Sequence, residues 1–311
     1  MGRLITIGVL AGLFFSTTFV LNRLMSLQGG HWLWAASLRY FFMLVFLGIW
    51  FPVTGKSSLL KELLFLYWRN WRFWTLAGTV GFGFFYALIT YSASFSPGWV
   101  IATTWQMTIL ATPIVLMGFG KRVPGTALVF SLLIFVGVVL VNVSQVGSAP
   151  VSEILMGGIP VLIAAFCYPL GNQLVWEVQN SSHSFLPKID SQALNRPFAK
   201  VFLLTIGSLP FWLLMIALFQ PPPPTLSQIL QTSTVALFSG VIATGLFLYA
   251  RQIAANSYEL SAVDATQASE VIFALAGEML FMHALVPNIY GCVGIALTVL
   301  GLYLYIRVQV R

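Results

Sequence analysis

The chain has 311 residues, of which 59% are hydrophobic and only 7% are charged, and its mean hydropathy is +0.91. A soluble domain carries about 25% charged residues, so this composition excludes an ordinary soluble protein. The formal net charge is +7, but the basic residues do not form a basic domain. We therefore expect anionic lipid headgroups, and not nucleic acid, as their partner.

Apolar runs of about 18 residues or more recur along the whole chain, and each can cross a hydrocarbon core about 30 Å thick as a helix. Their hydrophobicity is continuous and does not alternate as in a membrane β-strand. The sequence predicts an all-α integral membrane protein with ten transmembrane helices. The predicted spans are Leu4–Leu27, Trp32–Val53, Phe73–Phe95, Trp99–Phe119, Pro124–Gln145, Ile154–Trp176, Ala199–Phe219, Gln231–Ala254, Leu260–Met282 and Pro287–Ile306.

The basic residues are distributed asymmetrically across these spans. On the outer side there is only Arg23, at the end of the first span, and Arg39 lies within the second span. The other Lys and Arg residues fall on one side: Arg3, Lys56, Lys61, Arg69, Arg72, Lys121, Arg122, Lys188, Arg196, Lys200, Arg251, Arg307 and Arg311. Because cytoplasmic segments are enriched in Lys and Arg, we predict an inner or plasma membrane protein with both termini in the cytoplasm.

Short segments repeat between the two halves of the chain. Four segments recur in the same order: Asn22–Leu24 with Asn172–Leu174, Ala35–Arg39 with Ala193–Arg196, Gly83–Ala87 with Phe247–Ala250, and Val123–Gly125 with Val286–Asn288. These matches predict two five-helix repeats, residues 1–147 and 148–311. Because five is odd, the second repeat enters the membrane from the opposite face, as in inverted-repeat transporters.

The same residues resemble the drug/metabolite transporter superfamily in its ten-helix EamA-type form, and most closely its multidrug resistance efflux (EmrE-like) branch. The resemblance is carried by Gly12–Asn22, Ser37–Tyr40, Phe85–Leu88, Pro113, Ala243–Ala250 and Gly277–Glu278. It implies a carrier that works by alternating access.

This sequence departs from the family pattern at two places. An acid that often follows the fourth helix is replaced by Gly120, Lys121 and Arg122, and only Glu278 keeps it in the second half. The first span also lacks the interior acid of the small four-helix antiporters. Their proton-coupling residue therefore has no counterpart here.

Ionisable residues inside the predicted spans are candidates for the transport site, because such groups are costly in lipid. Arg39 is expected to contact an anion or a buried acid, or to be a structural or snorkelling residue. In the ninth span Gln267, Glu270 and Glu278 form a polar stripe bordered by Asp264. Glu270 is nearest the middle of the span and is predicted to couple protons or recognise cations; the alternative is a protonated or Arg39-paired structural acid.

Other candidates are uncharged. Gln106 shares a face of the fourth span with Thr103 and with Pro113, which is expected to kink the helix. Tyr86, Trp105 and Tyr249 are predicted aromatic walls for a lipophilic or cationic solute. Asn172 of the sixth span is a further candidate polar residue for the cavity.

These features predict a secondary-active transporter that exports a small organic solute, drug-like or metabolite, and couples this export to protons. The alternatives are an exchanger or facilitator for amino acids or nucleotide-type metabolites, and, less favoured, a membrane-embedded lipid enzyme. Because nucleotide-binding and metal-binding motifs are missing from the sequence, we expect no cofactor and no catalysis. The oligomeric state stays open.

Overall fold

The computed structural model describes residues 2–120, 125–180, 186–255, 259, 263, 264 and 266–309. Within these ranges the protein is helical, and a single bridge between Val146 and Ala149 is the only β-type pairing. Seven helical segments in the described ranges are long and apolar enough to cross a membrane: Gly2–Leu27, Trp32–Val53, Trp71–Ser92, Gly98–Gly118, Val151–Asn180, Pro197–Phe219 and Leu226–Ile253.

We number the helices in chain order. They are α1 (Gly2–Leu27), α2 (Trp32–Val53), α3 (Ser57–Arg69), α4 (Trp71–Ser92), α5 (Gly98–Trp105), α6 (Thr108–Gly118), α7 (Gly125–Val143), α8 (Val151–Asn180), α9 (Pro197–Phe219), α10 (Leu226–Ile253), α11 (Ser269–Met282) and α12 (Ile289–Gln309). A 3₁₀ turn, Thr266–Ala268, leads directly into α11, and another, Gln192–Asn195, precedes α9.

Several helices differ from the predicted spans. The fourth predicted span is two helices, α5 and α6, and the interruption lies at Gln106 and Met107, whereas α6 continues through Pro113. The amides of Gln106 and Met107 bond to carbonyls three residues back, so the chain tightens at this point. In the ninth predicted span α11 starts only at Ser269, and residues 260–262 and 265 lie outside the described ranges.

Two helices contain π-helical segments that the hydropathy pattern does not reveal. One is Thr79–Phe84 within α4, and the other is Ala236–Ala243 within α10. In a π-helical segment the backbone hydrogen bonds join residues i and i+5, so each turn holds about one residue more than in an α-helix and the helix is wider. Such segments often occur at functional sites. Both contribute side chains to the central cavity described below.

The helices of the first half of the chain pack extensively against those of the second half. Helix α1 packs against α10 and α11, while α8 packs against α4 and against α5 and α6. Helix α2 contacts α10, and α9 contacts α4; α2 and α9 also contact each other. Helices α7 and α12 form an extensive pair.

Glycines allow some of these helices to approach closely. A β-carbon built on Gly78 of α4 would lie 2.6 Å from the backbone of Gly207 in α9, and one on Gly81 would lie 2.9 Å from Gly171 of α8. Small residues permit the backbone contact on which helix association in lipid depends. The position of α4 against α8 and α9 therefore requires glycine at these points.

We expect Gly78→Ala to destabilise the protein by about 1–3 kcal/mol, because the added methyl group overpacks a backbone contact. Gly48→Ala is the matched control, since a β-carbon there meets nothing within 4 Å and alanine favours the helix. Thermal unfolding in detergent measures both. Equal midpoints for the two variants would show that α4 and α9 tolerate a wider separation.

Candidate functional site

A cavity with a volume of about 180 Å³ lies at the centre of the protein. It is lined by α1, α2, α4, α5, α6, α8, α9, α10 and α11 and by the 3₁₀ turn before α11, so both halves of the chain form its wall. Much of the wall is aromatic, as with Phe15, Tyr40, Phe85, Tyr168 and Phe247. The polar part of the wall consists of Thr18, Arg39, Thr108, Ser239, Thr244, Gln267 and Glu270.

Arg39 projects from α2 into this cavity and is 8% exposed. One terminal nitrogen donates to Thr18 Oγ1 of α1 at 3.0 Å, and the other donates to Ser239 Oγ of α10 at 3.1 Å. Thr18 Oγ1 in turn donates to Ser239 Oγ at 2.7 Å. Two hydroxyl groups from different halves of the chain therefore fix the orientation of the guanidinium group.

The aromatic ring of Tyr86 supports the same guanidinium group from behind. The Arg39 Cζ atom lies 4.2 Å from the ring centroid, a cation–π contact. Tyr86 is fully buried, and its hydroxyl accepts a hydrogen bond from Asn22 Nδ2 at 3.0 Å. The ring is therefore fixed by α1, and it holds Arg39 at the cavity wall.

The charge of Arg39 has no carboxylate partner within 4.0 Å among the described residues, and its Nε atom has no hydrogen-bond acceptor there. A buried guanidinium group is costly unless it is paired or hydrogen-bonded. The hydroxyl groups of Thr18 and Ser239 and the ring of Tyr86 compensate part of that cost. Two of the five N–H groups of the guanidinium are engaged, so the second N–H of each terminal nitrogen remains for an anionic or carbonyl group of a ligand.

Glu270 lines the cavity from the first turn of α11 and is 6% exposed. Its carboxyl group makes neither a hydrogen bond nor an ion pair with the described part of the chain, and in particular it does not pair with Arg39. Glu270 lies in the first turn of α11, directly after the 3₁₀ turn Thr266–Ala268. The acid can therefore exchange a proton or bind a cationic group without breaking a structural bond.

The two interrupted spans meet at this cavity. Trp105 and Thr108 flank the interruption between α5 and α6, and Gln267 and Glu270 flank the start of α11. The π segments contribute Phe82 from α4 and Ser239 from α10. The irregular backbone of these helices thus lies where the cavity is, as expected for polar backbone at membrane depth.

Glu278 lies away from the cavity and is 2% exposed. Its Oε1 atom accepts a hydrogen bond from the Gly98 amide at 2.5 Å, at the first residue of α5. A carboxylate at a helix N-terminus satisfies unpaired amides and interacts favourably with the helix dipole. Glu278 therefore joins α11 to α5 as a helix cap.

The other predicted residues also lie outside the cavity. Asp264 forms an ion pair with Arg251. The Tyr249 hydroxyl accepts a hydrogen bond from Arg3 at 3.2 Å. Gln106 is buried and donates to the Ala102 carbonyl at 3.3 Å, within its own turn. Asn172 is exposed on α8.

Of the residues singled out in the sequence, Arg39, Trp105, Gln267 and Glu270 thus share the cavity wall, and Tyr86 lies directly behind it. Sequence reasoning missed Thr18 and Ser239. Hydroxyl groups in the middle of apolar spans were the available signal, but serine and threonine commonly bond their own helix backbone and so rarely stand out. The described ranges contain no group of three His, Cys, Asp or Glu side chains that could hold a metal ion.

We expect Glu278→Ala to lower stability by about 1–3 kcal/mol, because the Gly98 amide is then buried without an acceptor. Glu278→Gln keeps an acceptor oxygen and should lose less. Glu153→Ala removes an exposed acid of α8 and is the matched control. Thermal unfolding in detergent compares the three, and a loss for Glu278→Ala no larger than the control would contradict the capping role.

Comparison with known proteins places the chain in a family. Residues 2–311 match the EmrE family model, described as "Putative multidrug resistance efflux transporter". The chain is similar to the Bacillus subtilis (strain 168) "Uncharacterized protein YjlA", with 38% identity over 322 aligned positions that cover 97% of this chain and 94% of that protein.

A second relative is an "Uncharacterized 42.1 kDa protein in intracellular alkaline protease 3'region" of Shouchella clausii, 37% identical over 78% of this chain and 63% of that protein. A crystal structure with 15% identity matches 98% of this chain and 96% of its own with a TM-score of 0.62, a likeness of fold alone. The family match over nearly the whole chain, together with the apolar helices, shows that this multi-pass membrane protein belongs to the EmrE-like family of multidrug resistance efflux transporters, within the drug/metabolite transporter superfamily.

Proposed function

We propose that the protein is a secondary-active exporter of a small organic solute, driven by protons and working by alternating access. The observation that carries this proposal is the central cavity, whose wall combines a buried cation, Arg39, with a buried acid, Glu270, neither of which has an ion-pair partner among the described residues. A pair of isolated charges in one small cavity is costly for stability. Binding of a ligand or a proton is a function that explains why the protein keeps these costly charges.

The packing of the helices supports an organisation into two repeats, residues 1–147 and 148–311. Exchanging α1 with α8, α2 with α9, α4 with α10, and the α5 and α6 pair with α11 converts the contacts of α1 with α10 and α11 into those of α8 with α4, α5 and α6. The same exchange converts the contact of α2 with α10 into that of α9 with α4, and exchanging α7 with α12 leaves the contact of that pair unchanged. Each half also has a π segment in its third span and an interruption in its fourth.

This correspondence gives five membrane-crossing elements in each repeat and ten in the chain, with α3 outside the count. Because five is odd, the two repeats run in opposite directions across the membrane. The excess of Lys and Arg on one side supports a plasma-membrane location with both termini in the cytoplasm.

Alternating access follows from this symmetry. In inverted-repeat carriers the two repeats exchange conformations, and a cavity between them opens first to one compartment and then to the other. Here the interrupted spans and π segments at the cavity supply the local freedom for such an exchange, because their backbone hydrogen bonds are already irregular.

Glu270 provides a coupling site within this scheme. A carboxyl group that binds the solute in its ionised form and releases it on protonation makes solute and proton compete for one site. Proton entry from outside then drives solute exit. The Gln267 amide lies one helical turn before Glu270 on the same wall and is available to hydrogen-bond the solute.

We expect Glu270→Gln to abolish pH-dependent transport without unfolding the protein, because the amide keeps the shape of the carboxyl group but cannot exchange a proton. Efflux of ethidium from proteoliposomes with an imposed pH gradient measures this. Glu153→Gln, which neutralises an exposed acid outside the cavity, should behave like the wild type. Retained pH dependence in Glu270→Gln would remove this residue from the coupling step.

A second candidate is exchange of amino acids or other metabolites that carry both charges. It is favoured by one observation: the guanidinium group of Arg39, which has no carboxylate partner among the described residues, lines the same cavity as Glu270. In this scheme Arg39 binds a carboxylate or phosphate and Glu270 binds an ammonium group. A lipid enzyme is less favoured, because Glu270 is the only acid among the described residues that line the cavity.

Arg39 variants distinguish the two candidates. Hydrogen bonds to charged groups contribute about 1.5–3 kcal/mol, so Arg39→Ala should slow uptake of an anionic or zwitterionic solute by about tenfold or more, and Arg39→Lys should retain part of it. Counterflow of a mixture of radiolabelled amino acids, compared with ethidium efflux, measures this. Equal loss of both activities in both variants would assign Arg39 a structural role.

A further inference from the structure

A second and larger cavity, with a volume of about 640 Å³, lies at one end of the protein. It is formed by the end of α2, the chain before α3, the start of α9 and the end of α10. On α10, Phe247 lines the central cavity, whereas Leu248 and Arg251 line this one. The two cavities are therefore separate but lie about one helical turn apart.

The wall of this second cavity is strongly basic. Lys56, Arg196 and Arg251 line it, and the described lining residues include no acid. Arg251 is paired with Asp264, so Lys56 and Arg196 supply most of the uncompensated charge. Lys56 Nζ lies 4.4 Å from the Trp50 ring centroid, which positions the ammonium group at the wall.

The backbone adds to this positive potential. Arg196 is the residue that precedes the first turn of α9, a helix of 23 residues, and no side chain caps the amides of that turn. The N-terminus of a long helix carries a partial positive charge and open amides, and it favours phosphate or carboxylate groups. Asn195 and Gln252 line the cavity as well and offer amide donors.

The surroundings of the cavity are apolar. Trp50, Phe51, Phe198 and Leu248 form much of its wall, and next to it in the chain Val53 is 78% exposed and Ile253 is 37% exposed. Apolar side chains that line and flank a basic cavity are unfavourable for a freely soluble ion. The basic residues and these apolar side chains together match a ligand that has an anionic head and hydrocarbon chains.

Helix α3 places this cavity at the depth of lipid headgroups. It is amphipathic: Leu59, Leu63 and Leu66 are buried, whereas Phe65 and Trp68 are 62% and 70% exposed. The basic residues Lys61 and Arg69 of α3 and Arg72 at the start of α4 are exposed and lie near these rings in the chain. Exposed tryptophan beside basic residues is typical of helices that lie in the membrane interface, and Leu59 of α3 lines the cavity itself.

We propose that this basic cavity binds the phosphate group of an anionic membrane lipid, with the acyl chains lying over the exposed apolar residues Val53 and Ile253. The chemistry of recognition is that of a phosphate diester: Lys56 and Arg196 compensate its charge, and the Phe198 amide in the first turn of α9 is the backbone donor. Pro197 has no N–H, and the Ala199 amide donates to the Arg196 carbonyl. Free phosphate shares this chemistry but leaves the apolar part of the wall without a partner.

Native mass spectrometry of the full-length protein in detergent, titrated with phosphatidylglycerol or phosphatidylcholine, tests the proposal. We expect phosphatidylglycerol to bind at least tenfold more tightly than phosphatidylcholine. The double variant Lys56→Gln, Arg196→Gln should lose this preference. Lys61→Gln, Arg69→Gln is the matched control, because it removes the same charge from exposed positions of α3 outside the cavity.

Equal loss of binding in both double variants would show general attraction to the basic surface and overturn the site. Comparable affinities for the two lipids in the wild type would do the same. Unchanged thermal midpoints in lipid-free detergent establish that the variants are folded.

Inorganic phosphate and glycerol 3-phosphate form the other arm of the experiment. If either raises the thermal midpoint as much as phosphatidylglycerol at equal concentration, the site takes a soluble anion and the lipid proposal is wrong. Because all readouts are binding or stability, they are independent of whether the protein transports ethidium or amino acids.

Discussion

The buried guanidinium group of Arg39 is the interaction on which the centre of this protein depends. It extends from α2, bonds hydroxyl groups of α1 and α10, and rests on the Tyr86 ring of α4, so one side chain joins four helices from both halves. A charge at this depth persists only where its surroundings satisfy most of its donors. Removing any one of these partners therefore affects the cavity and the packing of the halves together.

The cavity exists because the helices around it are irregular. Straight helices joined by glycine contacts, as between Gly78 and Gly207, leave little space between them. The π segments of α4 and α10, the interruption before Thr108 and the late start of α11 open the centre of the bundle. They also bring polar backbone groups and Glu270 to one point, which is why the proposed coupling site and solute site share the same wall.

Hydropathy predicted most of the long helices, because a run of apolar residues in lipid has no other way to satisfy its backbone. The hydropathy prediction failed where the backbone departs from a long apolar helix, because the length and composition of a segment do not specify such departures. The fourth predicted span is divided at Gln106, and α3 was overlooked, because Ser57–Arg69 is amphipathic and too polar to resemble a span. Pro113 was expected to cause the irregularity that lies instead at Gln106 and Met107.

The sequence by itself determined the membrane class, the family resemblance and the short list of intramembrane charges, since each of these depends on composition and on the high cost of charge in lipid. Only the tertiary structure decided which of those residues meet. Helical spacing puts Glu270 and Glu278 on one stripe, yet Glu270 faces the cavity and Glu278 caps α5. The reason is that contacts of Arg39 with Thr18 and Ser239 join residues 21 and 200 positions apart, and no local pattern specifies such distant packing.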